Sequence, residues 1–433
     1  MNIADYGMLQ SGVRRSKLKA TVCLLALVSI STALLPSSAH AESLAQALTS
    51  AYQSNPALQA ERARQRATDE EVPQALSGWR PTITATADAG VENNKDKIRR
   101  DVAVPPPFSE KITDNTNNAP AGISIELSQP IFRGFRTINE TKRAESNVEA
   151  GRQNLLAVEQ QVLFDASSAF MNVVRDREIV NLRVKNVSFL REQLRAAQAR
   201  FNVGEITRTD VAQSRARLSL SISDLAVAKS NLRTSSANFV RFIGHEPGKL
   251  THIRILRKLP RKLSQAVAVA ERMNPNVLAA LHLEEASVYA TEAIKGNLLP
   301  TVSLEARYDY RKDLSPSRRS TESASLAGVL RIPLYQAGLV SSQVRESKQI
   351  SSQRRLETLD VRRQVRETVV SAWHGLIASR QNIKSGTDQV NANQFALEGV
   401  RQEALVGSRT TLDVLDAEQE LVDSKVRLAT ARR

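Results

Sequence analysis

The chain of 433 residues predicts a mainly helical protein with a small β part, built twice from one plan. Three observations predict it. Leu44-Ala-Gln-Ala, Asn55-Pro56 and Pro81-Thr82-Ile83 return 219 residues later as Leu263-Ser-Gln-Ala, Asn274-Pro275 and Pro300-Thr301-Val302. Pro130-Ile131-Phe132, Val203-Gly204 and Asp210-Val211 return at an offset of 203 as Pro333-Leu334-Tyr335, Val406-Gly407 and Asp413-Val414. Between these markers the apolar residues recur with helical spacing, then with a period of two, then with helical spacing again over long stretches free of proline. A period near 200 far exceeds the roughly 20–50 residues of a solenoid repeat, so the unit is half a protein. The two offsets differ by 16 residues. That is one insertion, between 91 and 120, where Asn94, Lys95, Asp96, Pro105-Pro106-Pro107 and Asn115 to Asn118 read as a loop.

The first element is a leader. Arg14, Arg15, Lys17 and Lys19 precede an apolar run of 16 residues, Ala20 to Leu35, followed by Ala39-His40-Ala41, the order of a secretory signal peptide over 1–41 with cleavage near Ala41. The run is short for the roughly 20 residues of a membrane-spanning helix. The lone cysteine, Cys23, lies inside it, which leaves the mature chain without thiol chemistry or disulfides. It also lies too early to be lipidated at the cleavage point. The net charge of +15 is spread among carboxylates along helical segments. With a leader and no nucleic-acid motif, it reads as a solvated surface and not as a nucleic-acid site.

The first half then occupies 42–244, an inter-repeat loop 245–262, and the second half 263–433. Each half opens with a helical stretch, 43–78 or 263–298, interrupted at Asn-Pro. Strands follow. In 82–91, Ile83, Ala85, Ala87, Ala89 and Val91 share one face against Thr82, Thr84, Thr86 and Asp88. In 121–129, Ile123, Ile125 and Leu127 alternate with Ser124, Glu126 and Ser128. The second half repeats this with Val302, Leu304, Ala306, Tyr308 and Tyr310, then Leu326, Gly328, Leu330 and Ile332. The hairpins therefore cover about 82–129 and 301–332. Strands of about ten residues, apolar on one face only, have the pattern of outer-membrane barrel strands. Four cannot close a barrel, so strands that span a membrane must share one barrel among several chains. The bland alternative is two soluble hairpins packed on helices. Each half ends in a helix of about 67 residues (135–201 and 338–404), roughly 100 Å long, a Val-Gly tip, and a returning helix (208–243 and 411–433) whose start is marked by Asp210 or Asp413. The isolated Gly151, Gly386 and Gly399 read as tolerated bends in these helices. Helices of this length need lateral neighbours.

This order of elements, with Arg200-Phe-Asn-Val-Gly204 through Thr209-Asp210-Val211 and Val406-Gly-Ser-Arg-Thr-Thr-Leu-Asp-Val-Leu-Asp-Ala417, resembles the TolC family of outer-membrane efflux proteins over essentially the whole mature chain. The resemblance implies a homotrimer: long helical hairpins forming an α-barrel through the periplasm, and a shared outer-membrane β-barrel of twelve strands, four from each chain. It implies an exit duct without cofactor or metal. The implied partners are outer-membrane lipid, a periplasmic adaptor, and an inner-membrane resistance-nodulation-division pump or ABC exporter.

The resemblance also assigns residues. Asp413 and Asp416, one turn apart, would line the pore constriction, where crowding raises carboxylate pKa values and attracts cations. Asp413 could equally cap its helix. Arg409 would latch the closed tips by bonding to Thr209 and Asp210, although Ala404 stands where the family pattern has a supporting tyrosine. Val203, Gly204, Val406 and Gly407 would form the tip turns and meet the adaptor, the glycines supplying positive φ. The second half stops at Arg433, the counterpart of Ser230, so we expect a returning helix about fourteen residues short, and this leaves open a truncated, non-functional duct. An enzyme finds no support: the five histidines form no metalloprotease motif, and His245 and His252 sit apart from any ligand cluster. A periplasmic adaptor or coiled-coil scaffold is the rival reading, but an adaptor carries one hairpin between β-rich domains, and this chain carries two hairpins and little else.

Overall fold

The computed structural model describes residues 41–102, 105, 108–251, 259–315 and 318–433; the stretch before Ala41, read from the sequence as a leader, and His252 lie outside the described residues. The elements run α1 (Leu44–Ser54), α2 (Pro56–Asp69), α3 (Glu71–Leu76), β1 (Thr82–Ala89), β2 (Glu92–Val102), β3 (Phe108–Asn118), β4 (Ala121–Arg133), α4 (Arg136–Asn202) and α5 (Arg208–Ile243). The second half follows with α6 (Leu263–Met273), α7 (Pro275–Lys295), β5 (Thr301–Ser315), β6 (Arg318–Arg331), α8 (Leu339–Leu405) and α9 (Thr411–Ala431). The Asn-Pro pairs break the opening helices for a defined reason. Asn55 Oδ1 accepts from the N–H of Ala57 at 3.0 Å, Asn274 Oδ1 accepts from Asn276 N–H at 2.9 Å, and each proline takes the first helical position, where a missing N–H costs nothing. Asn55 also donates through Nδ2 to Phe242 O at 3.1 Å, so the break anchors the end of α5.

Strands β1, β4, β5 and β6 form one antiparallel sheet in the order β1-β4-β5-β6. The register decides what its faces are. Ile83 faces Leu127, Ile125 faces Tyr308, and Tyr308 faces Ala324; Leu127 faces Ala306, and Ala306 faces Leu326. Every apolar row therefore falls on the same side of the sheet, and that side is uncovered: Ile83, Ile123, Ile125, Leu326 and Leu330 are all exposed. The other side carries Thr84, Glu126 and Arg307 in register, and there Arg307 forks onto Asp309 at 2.6 and 3.0 Å.

The stretch read as a loop is corrected. Residues 92–118 form a second hairpin, β2 paired with β3 in register from Glu92–Asn118 to Val102–Phe108. Its side chains are rich in Asn, Asp and Lys, and the described ones are largely exposed on both faces, so no apolar alternation marks it in the sequence.

The two long helices have 67 residues each. They begin from a turn with two consecutive left-handed residues, Gly134 and Phe135 (both φ 61°) in one half, Ala337 (φ 50°) and Gly338 (φ 79°) in the other. A Cβ on Gly134 would also collide with Gly296 O, because the turn presses on the end of α7. Gly151, read as a bend, has a packing role: a Cβ there would collide with Gln65 Oε1. The core sits midway along α4, where Ala166, Phe170 and Val173 pack with Ala47 and Ala51 of α1 and Phe239 and Ile243 of α5. The helices are unequally covered: α4 buries fifteen residues and α8 five, because α4 lies between α2–α3 and the second half's α7, whereas α8 has α6 and α7 along one flank alone.

Gly134→Ala is expected to destabilise the strand-to-helix turn by about 1–3 kcal/mol, the scale of a forced left-handed residue, with the Gly296 clash in addition. Ala337→Gly should stabilise the equivalent turn slightly. Thermal unfolding of the two variants in detergent checks the opposite signs.

Candidate pore constriction at the helical tips

Both helical hairpins turn the same way. Gly204 (φ 82°) and Gly407 (φ 79°) close the ends of α4 and α8; Glu205 N–H donates to Arg200 O at 2.9 Å and Ser408 N–H to Glu403 O at 3.0 Å. Val203 and Val406 stand at the apices 78% and 81% exposed. The returning helices start at Arg208 and Thr411, the starts read from the sequence, with Asp210 and Asp413 in the third helical position. The reason is a threonine cap. Thr207 Oγ1 accepts from Asp210 N–H at 3.3 Å, and Asp210 Oδ2 accepts from Thr207 N–H and Oγ1–H at 2.8 Å each; Thr410 and Asp413 repeat the arrangement with the same distances.

These caps set the electrostatics of two candidate site residues. Backbone and then side-chain hydrogen bonds from Thr207 hold the Asp210 carboxyl below the usual carboxylate range, and Thr410 does the same for Asp413, with help from the nearby Arg409 charge. Within one chain, Asp413 is thus a cap and an easily ionised acid. Asp416, one turn on, forms an ion pair with Arg217 of α5. Arg409 donates through Nε to Glu403 Oε2 at 2.9 Å, which raises its pKa further, while Thr209 stands exposed. The single chain therefore brings together Thr207 with Asp210, Thr410 with Asp413, Arg217 with Asp416 and Glu403 with Arg409. It leaves Arg409 apart from Thr209 and Asp210.

Several residues beside the tips carry no signal in the sequence and emerge only from the fold. Arg401 of α8 donates to Glu418 Oε2 of α9 at 3.0 Å and lies 5.1 Å from the centre of the Phe189 ring of α4. Burial pushes Glu418 up, against the pull of Arg401 and Lys425. An open cleft of about 590 Å³ between α4 and α8 is lined by Phe189, Ala197, Arg401, Ala404, Leu405 and Val414, with Ala404 contributing only a methyl group. Among the described residues no group of three or more His, Cys, Asp or Glu is placed to hold a metal, and no helix is long and apolar enough to cross a membrane. His245 lies edge-on to Phe239 and 3.3 Å from Glu42.

Comparison with known proteins agrees with this geometry. Residues 47–245 and 267–433, the two halves, match the family described as "Outer membrane efflux protein". The chain belongs to this family. It is 37% identical over 401 residues to the outer membrane efflux protein BepC of Brucella suis, covering 92% of this chain and 84% of that one. It is 26% identical over 428 residues to the outer membrane protein TolC of Escherichia coli, covering 94% and 82%. The alkaline protease secretion protein AprF of Pseudomonas aeruginosa is 22% identical over 320 residues, covering 71% and 66%. A solved structure of CusC superposes with a TM-score of 0.75 at 15% identity, covering 90% of this chain and 88% of that one, and shares the fold. As an outer membrane efflux protein, the chain has its place in the outer membrane, and its family is one of channels.

The caps predict a pH response of definite sign. Asp210 and Asp413 titrate below their unfolded value of about 3.9, so their contribution to the tips is complete above that value and is lost as the pH falls through the folded pKa. Hydrogen exchange of residues 411–415, corrected for the intrinsic rate, should show protection lost below about pH 4. Thr410→Ala should lower that protection at neutral pH.

Proposed function

We propose that three copies of the chain close one outer-membrane barrel of twelve strands, continued by a helical tunnel that serves as the exit duct for efflux or type I secretion. The observation that carries this reading is the sheet: four strands whose apolar rows all fall on one exposed face, with β1 and β6 as unpaired edges among the described residues. In hydrocarbon an unpaired edge strands its N–H and C=O groups at several kcal/mol each, so the edges must meet those of other copies. The bare flank of α8 supports the same assembly, since it corresponds to the flank that α7 covers on α4. On this reading cargo reaches the tips from an inner-membrane resistance-nodulation-division pump or ABC exporter through a periplasmic adaptor, for which exposed Val203 and Val406 and the turns at Gly204 and Gly407 are the contact points. Asp413 and Asp416 of the three copies line the narrow end. Arg409 and Glu403 are each about half exposed, so exchange of Glu403 for Thr209 or Asp210 of a neighbouring copy costs little, and Arg409 can serve as the latch.

The duplication specifies how the copies join. Within the chain β4 pairs with β5, Ser128 opposite Glu305. Carrying this pairing through the two offsets places Arg331 of β6 opposite Thr86 of β1 in the next copy. Cysteines at 331 and 86 should cross-link neighbouring chains into a covalent trimer on oxidation, and cysteines at 331 and 82 should not; the sequence after Cys23 brings no thiol of its own. The purified product should form channels in planar bilayers. A protein that is soluble without detergent and forms no channel would favour the periplasmic scaffold.

A further inference from the structure

The β2–β3 hairpin prolongs the ladder of β1 and β4 without a change of register. From the pair Thr82–Ser128 to the pair Glu92–Asn118 the chain advances ten residues on one strand and retreats ten on the other. Side chains therefore keep their sides of the ladder across residues 90 and 91. The side that holds the exposed apolar row of β1, from Ile83 to Val91, goes on as Lys95, Lys97 and Arg99 of β2, with Thr113 of β3 opposite Lys97 and Lys111 opposite Arg99. On the same side the Asn93 side chain donates to Asn117, its register partner. The other side, which continues the polar row of Thr84, carries Glu92, Asp96 and Glu110.

Charge is thus sorted by side. Between Asn93 and Arg99 and between Lys111 and Asn117 the first side has four cations and no acid, all four cations are exposed, and among the described residues none of them forms an ion pair. On the polar side of the sheet, by contrast, Arg307 and Arg331 each hold a carboxylate, Asp309 and Glu305. Arg99 and Lys111 stand directly opposite each other, about 5 Å apart at Cα. Like charges so placed repel, and an anion seated between them relieves the repulsion. Lys97, one step along the strand at about 7 Å, and the Thr113 hydroxyl complete a donor patch of the size of a phosphate group or two. The pairing between copies proposed above brings Glu322 of the neighbouring copy opposite Lys95, so Lys97, Arg99 and Lys111 are the free cations.

Height selects the anion. The row from Ile83 to Val91 covers about 26 Å of strand, which accounts for most of the roughly 25 Å apolar band of an outer-membrane barrel. On β5 the same side ends in Tyr308, Tyr310 and Lys312, the Lys312 ammonium 5.7 Å from the centre of the Tyr310 ring, an arrangement suited to a membrane interface. Lys97 lies six residues beyond Val91, about 20 Å of strand or about 15 Å of height at the usual tilt. A phospholipid headgroup layer is only about 5–8 Å deep. The patch therefore stands above phospholipid phosphates, at the level of a glycolipid's sugars. We propose that Lys97, Arg99 and Lys111 bind the sugar phosphates of an outer-membrane glycolipid, so that each β2–β3 hairpin holds such a lipid against the outside of the barrel. The proposal rests on the barrel reading above.

The test uses purified full-length protein in detergent and fluorescently labelled lipopolysaccharide with a phosphorylated core. Arg99→Gln and Lys111→Gln should each weaken binding about fivefold, and the two together with Lys97→Gln about a hundredfold. Arg99→Lys should keep it, and Glu92→Gln with Asp96→Asn, on the other side of the same ribbon, should not weaken it. Phosphatase-treated lipopolysaccharide should bind the unsubstituted protein as weakly as the intact form binds the triple variant. Equal binding by the triple variant, equal binding of the dephosphorylated form, or displacement by inorganic phosphate as effective as by unlabelled glycolipid would each overturn the site. In a detergent-dependent protein those results leave the barrel standing. An unsubstituted protein that stays in solution without detergent removes the barrel reading and this proposal with it.

Discussion

A strand exposed to hydrocarbon must have every N–H and C=O of its backbone paired, and this constraint governs the rest of the molecule. The chain supplies four strands with their apolar rows in register on one uncovered face, and two edges that it cannot pair itself. On the proposed reading, assembly is therefore part of the fold. The long helices follow the same logic: α4 finds its neighbours inside the chain, while α8 shows a flank with exposed Leu356, Leu359 and Ile377 that the proposed neighbouring copy covers.

Duplication makes such an assembly economical to specify. Because β4 against β5 is the junction between halves within a chain, the proposed assembly uses the same surface chemistry between chains and so closes a ring of half-proteins. The strand-to-helix turn shows the two halves solving one geometric problem with different residues. It needs two left-handed positions; the first half places its glycine at the first and the second half at the second, leaving Phe135 and Ala337 to carry the strain.

Much of this was legible in the residues, and the limits have physical causes. Alternation exposed β1, β4, β5 and β6 because their apolar rows fall on one face of the sheet and the polar ones on the other. The hairpin of β2 and β3 was hidden because both its faces meet water, so pairing leaves no apolar period in the side chains. At the tips, Gly204 and Gly407 announced positive φ, and Thr-x-x-Asp at 207–210 and 410–413 carries the cap that sets the helix start. The partners of Asp416 and Arg409 were not legible. Arg217 lies 199 residues from Asp416, and whether the two meet depends on how the hairpins wind together, which no local pattern encodes. Glu403 stands close to Arg409 in sequence, but only the turn at Gly407 folds it back.

Caps and glycine turns hold each hairpin end, the apolar cluster of Leu397, Val414 and Leu421 joins α8 to α9, and the ion pairs of Asp416 with Arg217 and Asp423 with Arg183 reach from α9 to α5 and α4. The central claim beneath all of this is that one chain is an incomplete barrel. The most direct test is the mass of the detergent-solubilised particle, corrected for bound detergent, by light scattering or native mass spectrometry. The account predicts three copies in a detergent-dependent particle; a stable monomer with its strand edges unpaired, or a particle needing no detergent, would contradict it.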